Sequence, residues 1–189
     1  ELLYLGRLKP PTFDSQVFEY IKLLARFQGK RVIARVLDLD LDKPLPFLSE
    51  AGSGRYANRG LQVLLANQEV LETQLAALAS AGRTYRGTEL WVMAPMVLSA
   101  TEAGEFVSLA HAAGLGARSN TADAIAGSKV GVMIEVPEVT EDAELEALMQ
   151  VVDFVSIGTN DLTQYVLGVS RHEPTGPGAT PSIADARHP

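Results

Sequence analysis

The sequence predicts an α/β fold built on a parallel β-sheet. Four short runs are apolar along nearly their whole length, which is typical of strands buried on both faces. Longer segments with helical periodicity separate these runs, and such alternation with right-handed crossovers gives a parallel sheet, either open or closed into a barrel. Of the 189 residues, 47% are hydrophobic and 21% are charged, which is the composition of a folded domain.

The strands and helices follow one another along the chain with recognisable start and stop signals. The strands are predicted at residues 31–39, 90–96, 130–136 and 153–157. The helices are predicted at residues 13–27, 60–81, 101–113, 139–151 and 162–169. Gly29 and Gly114 are helix stops, a break is expected near Asn67, and Ser99 with Glu102 has capping-box spacing.

Composition and charge exclude several classes of function. The net charge of −7 argues against nonspecific binding to nucleic acid, which requires a basic surface. No apolar run approaches the roughly 18 residues of a membrane span. The absence of cysteine excludes disulfides and thiol nucleophiles, and three widely spaced histidines argue against a zinc site. The N-terminal sequence is not a signal peptide and resembles the interior of a longer polypeptide.

Charged and amide side chains follow the predicted strands, where parallel sheets collect their chemistry. In chain order they are Arg35, Lys43, Arg59, Glu135, Asn160, Asp161 and Arg171. Glu135 directly follows a buried apolar run, so its carboxylate should face a cation or a hydrogen-bond donor. Glu135 and Asp161 together form an oxygen-only site suited to Mg²⁺, and the arginines suit a ligand with phosphate and carboxylate groups.

Each of these residues also has a purely structural explanation. Asn160 or Asp161 could cap the helix that follows. Glu135 could form a salt bridge with an arginine, and the acidic residues from Asp38 to Asp42 could lie in a solvated loop. The sequence therefore indicates a phosphoryl-transfer site only because these carboxylates and arginines occur together at the predicted strand ends.

Five motifs occur in an order and spacing that resemble one known family. They are RVLDLDLDKPLPFL (35–48), NRGLQVLLANQEVLETQL (58–75), VMAPMV (92–97), VGVMIEVP (130–137) and SIGTNDLTQYVLGVSR (156–171). They resemble the C-terminal, phosphoenolpyruvate-binding domain of the phosphoenolpyruvate–protein phosphotransferases, which are Enzyme I of the bacterial sugar phosphotransferase system. Pyruvate phosphate dikinase and phosphoenolpyruvate synthase are relatives of that family.

The resemblance implies a (β/α)₈ TIM-type barrel of the phosphoenolpyruvate/pyruvate family, only part of which this chain represents. Residues 1–189 would be a single domain that is incomplete at both ends. The family dimerises and works in the cytoplasm, without nucleic acid or membrane partners. It moves a phosphoryl group from phosphoenolpyruvate (PEP) to a histidine on another domain and then to the carrier HPr. Sugar specificity resides in later carriers.

The resemblance also implies roles for individual residues. Arg35, Arg59 and Arg171 would bind the phosphate or carboxylate of PEP, with Lys43 as a further anion contact. Asn160 and the backbone at Asp161 would orient the ligand. Glu135 and Asp161 would hold Mg²⁺.

The sequence departs from the family pattern in ways that bear on activity. Val36 and the pair Asp40–Leu41 replace a threonine and small residues of the family's first motif. The phospho-accepting histidine and the cysteine that protonates the enolate are absent, so no catalytic residue is expected within this chain, and the segment alone is expected to be inactive. The alternatives are a dikinase or synthase domain, or a degenerate regulatory paralogue, which Asp40–Leu41 would suit.

Overall fold

The computed structural model describes residues 3–4, 6–39, 44–50, 54–116 and 118–168, and its centre is a parallel β-sheet. The strands are β1 (Arg31–Arg35), β2 (Glu89–Ala94), β3 (Lys129–Ile134) and β4 (Phe154–Ile157). Their order in the sheet is the order along the chain, and every neighbouring pair is parallel. Among the described residues β4 does not pair with β1, so the sheet is open.

The connections between strands carry the helices. The helices are α1 (Phe13–Ala25), α2 (Gly60–Ala66), α3 (Gln68–Thr84), α4 (Ala100–Ala112), α5 (Asp142–Val151) and α6 (Thr159–Leu167). Short 3₁₀ turns at Gly54–Tyr56 and Pro137–Thr140 lie before α2 and α5. Because sequential parallel strands with right-handed crossovers place their helices on one face, the core forms between that face and the helices.

The two faces of the sheet differ in burial. Side chains alternate between the faces of a strand, and in β2 and β3 those on the helix side are buried, Val92 and Val132 completely. On the other face Trp91 and Phe154 are in contact, with ring centroids 4.8 Å apart. Ile33 on that face is 45% exposed. The prediction that all strands are buried on both faces is therefore wrong for β1 and β4 among the described residues, since no residue of either strand is fully buried.

The predicted elements are all present, with shifted ends. The break near Asn67 is confirmed: Asn67 separates α2 from α3, and its side chain bonds both the N–H and the C=O of Ser49 at 2.9 Å. Ser99 caps α4 by accepting from the Glu102 N–H at 3.2 Å, as predicted. The largest difference is at β1, which ends at Arg35 rather than at residue 39, and α6 begins at Thr159 rather than at residue 162.

A buried polar chain ties the helices to the segment that follows β1. The Tyr20 hydroxyl donates to the side-chain oxygen of Gln16 at 3.0 Å and accepts from the side-chain amide of Gln74 at 3.1 Å. The Gln74 carbonyl accepts from the Leu37 N–H at 3.0 Å. This chain fixes the backbone one residue before Asp38, at the carboxyl end of β1.

None of the helices within the described ranges is long and apolar enough to span a membrane.

Candidate functional site

The carboxyl ends of the strands bring together side chains that are far apart in sequence. The register aligns Arg35 of β1 with Met93 of β2, and Ile134 of β3 with Ile157 of β4. The residues that follow these positions therefore meet at one edge of the sheet. That edge holds most of the charged groups predicted from the sequence.

Glu135 lies at the centre of this edge and is 2% exposed. One carboxylate oxygen accepts from the Met96 N–H at 2.7 Å, just past the neighbouring strand β2. Burial raises the pKa of Glu135 to about 7; the Met96 N–H opposes this rise, Asp38 and Asp161 add to it, and Arg35 lowers it. Glu135 thus faces a hydrogen-bond donor, as expected for a buried acid, and its closest partner is a backbone amide rather than an arginine.

Arg59 and Asp161 form a second, adjacent pair. Arg59 Nη2 lies 3.5 Å from Asp161 Oδ1, and their side chains are only 12% and 17% exposed. Arg59 also donates through Nη1 to the hydroxyl of Tyr165, one turn further along α6. Helix α6 therefore holds the Arg59 guanidinium at two points.

Tyr165 is enclosed by aromatic and cationic groups from the segment before α2. Arg55 donates to the Tyr165 carbonyl, and its Cζ lies 5.0 Å from the centre of the Tyr165 ring. The Tyr56 ring meets the Tyr165 ring edge-on with centroids 4.8 Å apart, and the Tyr56 hydroxyl donates to Glu138 at 2.5 Å. These contacts connect the 3₁₀ turns before α2 and α5 with α6.

Arg35 ends β1 and points to the acidic part of the edge. Its Nη1 lies 3.6 Å from Asp38 Oδ2, and Asp38 is 3% exposed. Asp38 is therefore not part of a solvated loop, which corrects one of the structural explanations. Arg35 also lies close enough to Glu135 to lower the pKa of that carboxyl.

Close approach of the backbone makes the edge compact. A Cβ on Gly158 would come within 2.8 Å of the Glu135 Cβ, and one on Gly60 would overlap the Cβ of Met96. Asn58 and Met96 have positive φ angles of 59° and 46°, which is unfavourable for non-glycine residues. Such strained positions persist where surrounding structure fixes them, and both lie at this edge.

The remaining predicted residues divide into two groups. Asn160 is exposed and lies in the first turn of α6, whose N-cap is Gly158 without a side-chain cap bond. The alternative that Asn160 or Asp161 caps the helix is therefore wrong. Lys43 and Arg171 lie outside the described residues, as do Asp40 and Leu41.

One backbone group and two side chains of the site were not predicted from the sequence. The Met96 N–H gives Glu135 its hydrogen bond, and backbone groups leave no signal in residue identity. Tyr165 and Arg55 also belong to the site, although they lie far apart in sequence. The only signal for Tyr165 was its place in the LTQY motif.

The arrangement offers two kinds of chemistry side by side. Glu135 and Asp161 provide hard oxygen ligands, and Arg59 and Arg35 provide guanidinium groups that bind phosphate or carboxylate bidentately. The described residues contain no group of three acidic or histidine side chains placed to hold a metal. Two carboxylates are nevertheless sufficient for Mg²⁺, which takes its other ligands from water and a phosphate.

Known proteins resemble this chain along its length. Residues 1–189 match the family of PEP-utilising enzymes, in the PEP-binding domain. A phosphoenolpyruvate-protein phosphotransferase of Streptomyces coelicolor is 39% identical over 85% of this chain and 27% of its own length. One from Haloferax volcanii is 35% identical over 100% of this chain and 33% of its own length. A multiphosphoryl transfer protein of Xanthomonas campestris is 35% identical over 100% of this chain and 21% of its own length.

The chain therefore spans about a third or less of the length of these relatives. The family match covers the whole sequence, and its description agrees with a sheet edge that combines carboxylates and arginines. The chain belongs to the PEP-utilising enzymes, as their PEP-binding domain.

Proposed function

We propose that this chain supplies the PEP-binding and Mg²⁺-binding site of an enzyme that transfers a phosphoryl group from PEP to a protein histidine. The main support is that two carboxyl groups lie near each other at this edge of the sheet. Glu135 is buried, and Asp161, whose charge raises the pKa of Glu135, forms an ion pair with the Arg59 guanidinium. Relatives named as PEP-protein phosphotransferases favour this reaction over that of a dikinase or synthase.

The residues would share the ligand according to their charge. Arg35 and Arg59, together with Arg171 and Lys43, bind the phosphate and carboxylate groups of PEP. Asn160 is exposed in the first turn of α6, where its amide can orient the ligand. The helix N-terminus beside it favours a negatively charged group.

The donor set at Glu135 and Asp161 fits Mg²⁺. The pKa of Glu135 is raised by burial and then by two nearby carboxylates, so the edge has an excess of negative charge that a cation would relieve. Bound Mg²⁺ would neutralise charge on the transferred phosphoryl group. Asp161, which interacts with Arg59, would be one of the residues that hold the cation, and the Arg59 guanidinium beside it would bind the phosphate.

The transfer breaks the bond between phosphorus and the enol oxygen of PEP and forms a bond to a histidine nitrogen. The enolate that leaves takes up a proton to become pyruvate. The histidine, the proton donor and the interaction with an HPr-type carrier belong to other parts of the full-length enzyme. The chain alone is therefore expected not to release pyruvate.

Further properties follow from the same family. The strand order β1-β2-β3-β4 with all crossover helices on one face fits part of a (β/α)₈ barrel, because a doubly wound sheet would reverse direction at a switch point. We further propose that the full-length protein is a homodimeric enzyme of the cytoplasm.

A thermal-shift experiment tests binding. PEP with Mg²⁺ should stabilise the chain by about 2.7 kcal/mol when PEP is roughly 100-fold above its Kd. Arg59→Gln should remove this stabilisation, whereas Arg26→Gln, which changes the exposed arginine at the C-terminal end of α1, should retain it. Equal stabilisation of both variants would contradict the assignment of the site.

Single-turnover assays test the division of labour. The chain should bind PEP without releasing pyruvate, because it contains neither the acceptor histidine nor the proton donor. Release of pyruvate by this chain in stoichiometric amount would disprove that part of the proposal.

A further inference from the structure

A cavity at the opposite end of the sheet has the properties of a second anion site. It has a volume of about 300 Å³ and lies where α3 ends and β2 begins. Its lining contains two arginines and no acidic residue: Gly82, Arg83, Arg86, Thr88, Ala124, Ile125 and Ala126. Because this is the amino end of the strands, the cavity is separate from the candidate site at their carboxyl ends.

Arg83 is fixed against the segment that connects α4 to β3. Its Nη1 donates to the carbonyl of Ala113 at 3.4 Å and to that of Asp123 at 3.3 Å. Gly114 allows this approach, since a Cβ there would lie 3.3 Å from Arg83 Nη1. The guanidinium is therefore held in place by neutral backbone groups.

Arg86 is anchored through only part of its side chain. Its Nε donates to the carbonyl of Arg83 at 3.3 Å. Neither Arg83 nor Arg86 forms an ion pair with a carboxylate in the described part of the chain. This differs from Arg31, Arg35 and Arg59, each of which has an acidic partner.

The surroundings of the cavity are basic although the chain has a net charge of −7. The helix ends, connections and first strand residues at this end of the sheet contain more basic than acidic side chains. The basic ones are Arg26, Lys30, Arg31, Arg83, Arg86, Arg118 and Lys129, and the acidic ones are Glu89, Asp123 and Asp153. Basic side chains near helix C-termini also satisfy terminal carbonyls, as Arg83 does, so the test must separate binding from this structural role.

We propose that this cavity binds a small molecule that carries a phosphate group. Two guanidiniums that have no acidic partner among the described residues match the charge and the bidentate geometry of a phosphate. The small side chains of Gly82, Ala124 and Ala126 provide the space, and the volume is at the lower end for small-molecule sites. A ligand here would bridge α3 to the segment before β3.

The test is an NMR titration of the chain with inorganic phosphate in an Arg59→Gln background, which weakens phosphate binding at the carboxyl-end site. Saturable shifts are expected for the amides of Gly82 and Ala124–Ala126. Arg86→Gln should raise the Kd about tenfold, because a charge-assisted hydrogen bond is lost. Arg26→Gln, an exposed arginine at the same end of the molecule that does not line the cavity, should leave the Kd within about twofold.

A second variant tests the cavity with its charges unchanged. Ala124→Leu places a larger side chain in the space and should abolish the saturable shifts. Shifts that do not saturate, or an equal loss of affinity in Arg86→Gln and Arg26→Gln, would mean that the arginines act only structurally or through nonspecific charge. Either result would overturn the proposal, independently of whether PEP binds at the other end.

Discussion

Among single residues, Glu135 carries the clearest conflict between stability and binding. Its carboxyl is buried beside Asp38 and Asp161, and the hydrogen bond that it accepts from the Met96 N–H offsets only part of the cost of burying its charge. The folded state therefore favours the protonated form, whereas a cation requires the ionised form. A site of this kind is stable when it is either protonated or occupied by a cation.

The pH dependence of stability tests this conflict. The pKa of Glu135 rises from 4.5 in the unfolded chain to about 7 in the folded protein, so the folded state binds more protons between these values. Its contribution destabilises the fold progressively as pH rises through this window, and the loss is complete above pH 7. We expect Glu135→Gln to be more stable than the wild type by up to about 3 kcal/mol at pH 7.5 and nearly equal at pH 4.

Urea unfolding at the two pH values, without Mg²⁺, measures this difference. Comparison with Glu146→Gln, which changes an exposed acid on α5 outside the carboxylate cluster, controls for general charge effects. A stability difference that is independent of pH would contradict the raised pKa. Glu135→Gln should also lose the stabilisation by PEP with Mg²⁺.

Tyr165 acts on the site through Arg59. Its hydroxyl accepts from Arg59 Nη1. Tyr165→Phe therefore removes one of the two contacts by which α6 holds the Arg59 guanidinium, while the ring keeps its contact with Tyr56. We expect PEP affinity to fall about fivefold to tenfold, in line with the loss of one hydrogen bond to a charged group. Isothermal titration with PEP and Mg²⁺ measures it.

Tyr85→Phe is the matched control, since no hydrogen bond of the Tyr85 hydroxyl occurs within the described residues. Its PEP affinity should equal that of the wild type. If Tyr165→Phe also binds PEP with unchanged affinity, Tyr165 does not position Arg59.

At the scale of elements, the site depends on segments that are fixed just after the strands. The polar chain through Tyr20 and Gln74 reaches the Leu37 N–H and so determines where Asp38 lies. Gly60 allows α2 to begin against Met96, next to the amide that bonds Glu135. Precise placement of the edge therefore comes from contacts between helices and strand ends.

Replacing Gln74 tests this placement. Gln74 is 3% exposed, so Gln74→Leu leaves the Leu37 N–H without its acceptor in a buried position. We expect a loss of about 1–3 kcal/mol in the free energy of unfolding. Chemical denaturation measures it, with Gln68→Leu on the exposed face of α3 as the control. Similar losses in both variants would indicate a propensity effect rather than the buried bond.

The positions of helices and strands were predictable where a local sequence pattern determines them. They were less predictable where contacts with residues distant in sequence determine them. Apolar runs identified all four strands, and Asn67 marked the break between α2 and α3. The start of α6 was placed too late because Gly158 caps it without a side-chain signal, while packing against Glu135 fixes its position. Glu135 stood out as an acid after an apolar run, but the burial of Asp38 depends on distant helices.

At the scale of the whole molecule, the described sheet has two edges. The order of the strands leaves β1 and β4 at these edges. Edge strands present unpaired backbone groups that promote association with another chain. Apolar side chains at such edges strengthen this tendency, and Ile157 on β4 is 63% exposed.

A charge at Ile157 tests whether association uses this edge. We expect the chain to form dimers or larger species with rising concentration, and Ile157→Lys to reduce them, because lysine on an edge strand disfavours pairing. Val166→Lys is a matched control: Val166 is also β-branched and 63% exposed, but it lies on α6. Sedimentation velocity over a range of concentrations measures the species. Association that falls equally in both variants would point to general charge repulsion, and association that persists in Ile157→Lys would place the contact away from β4.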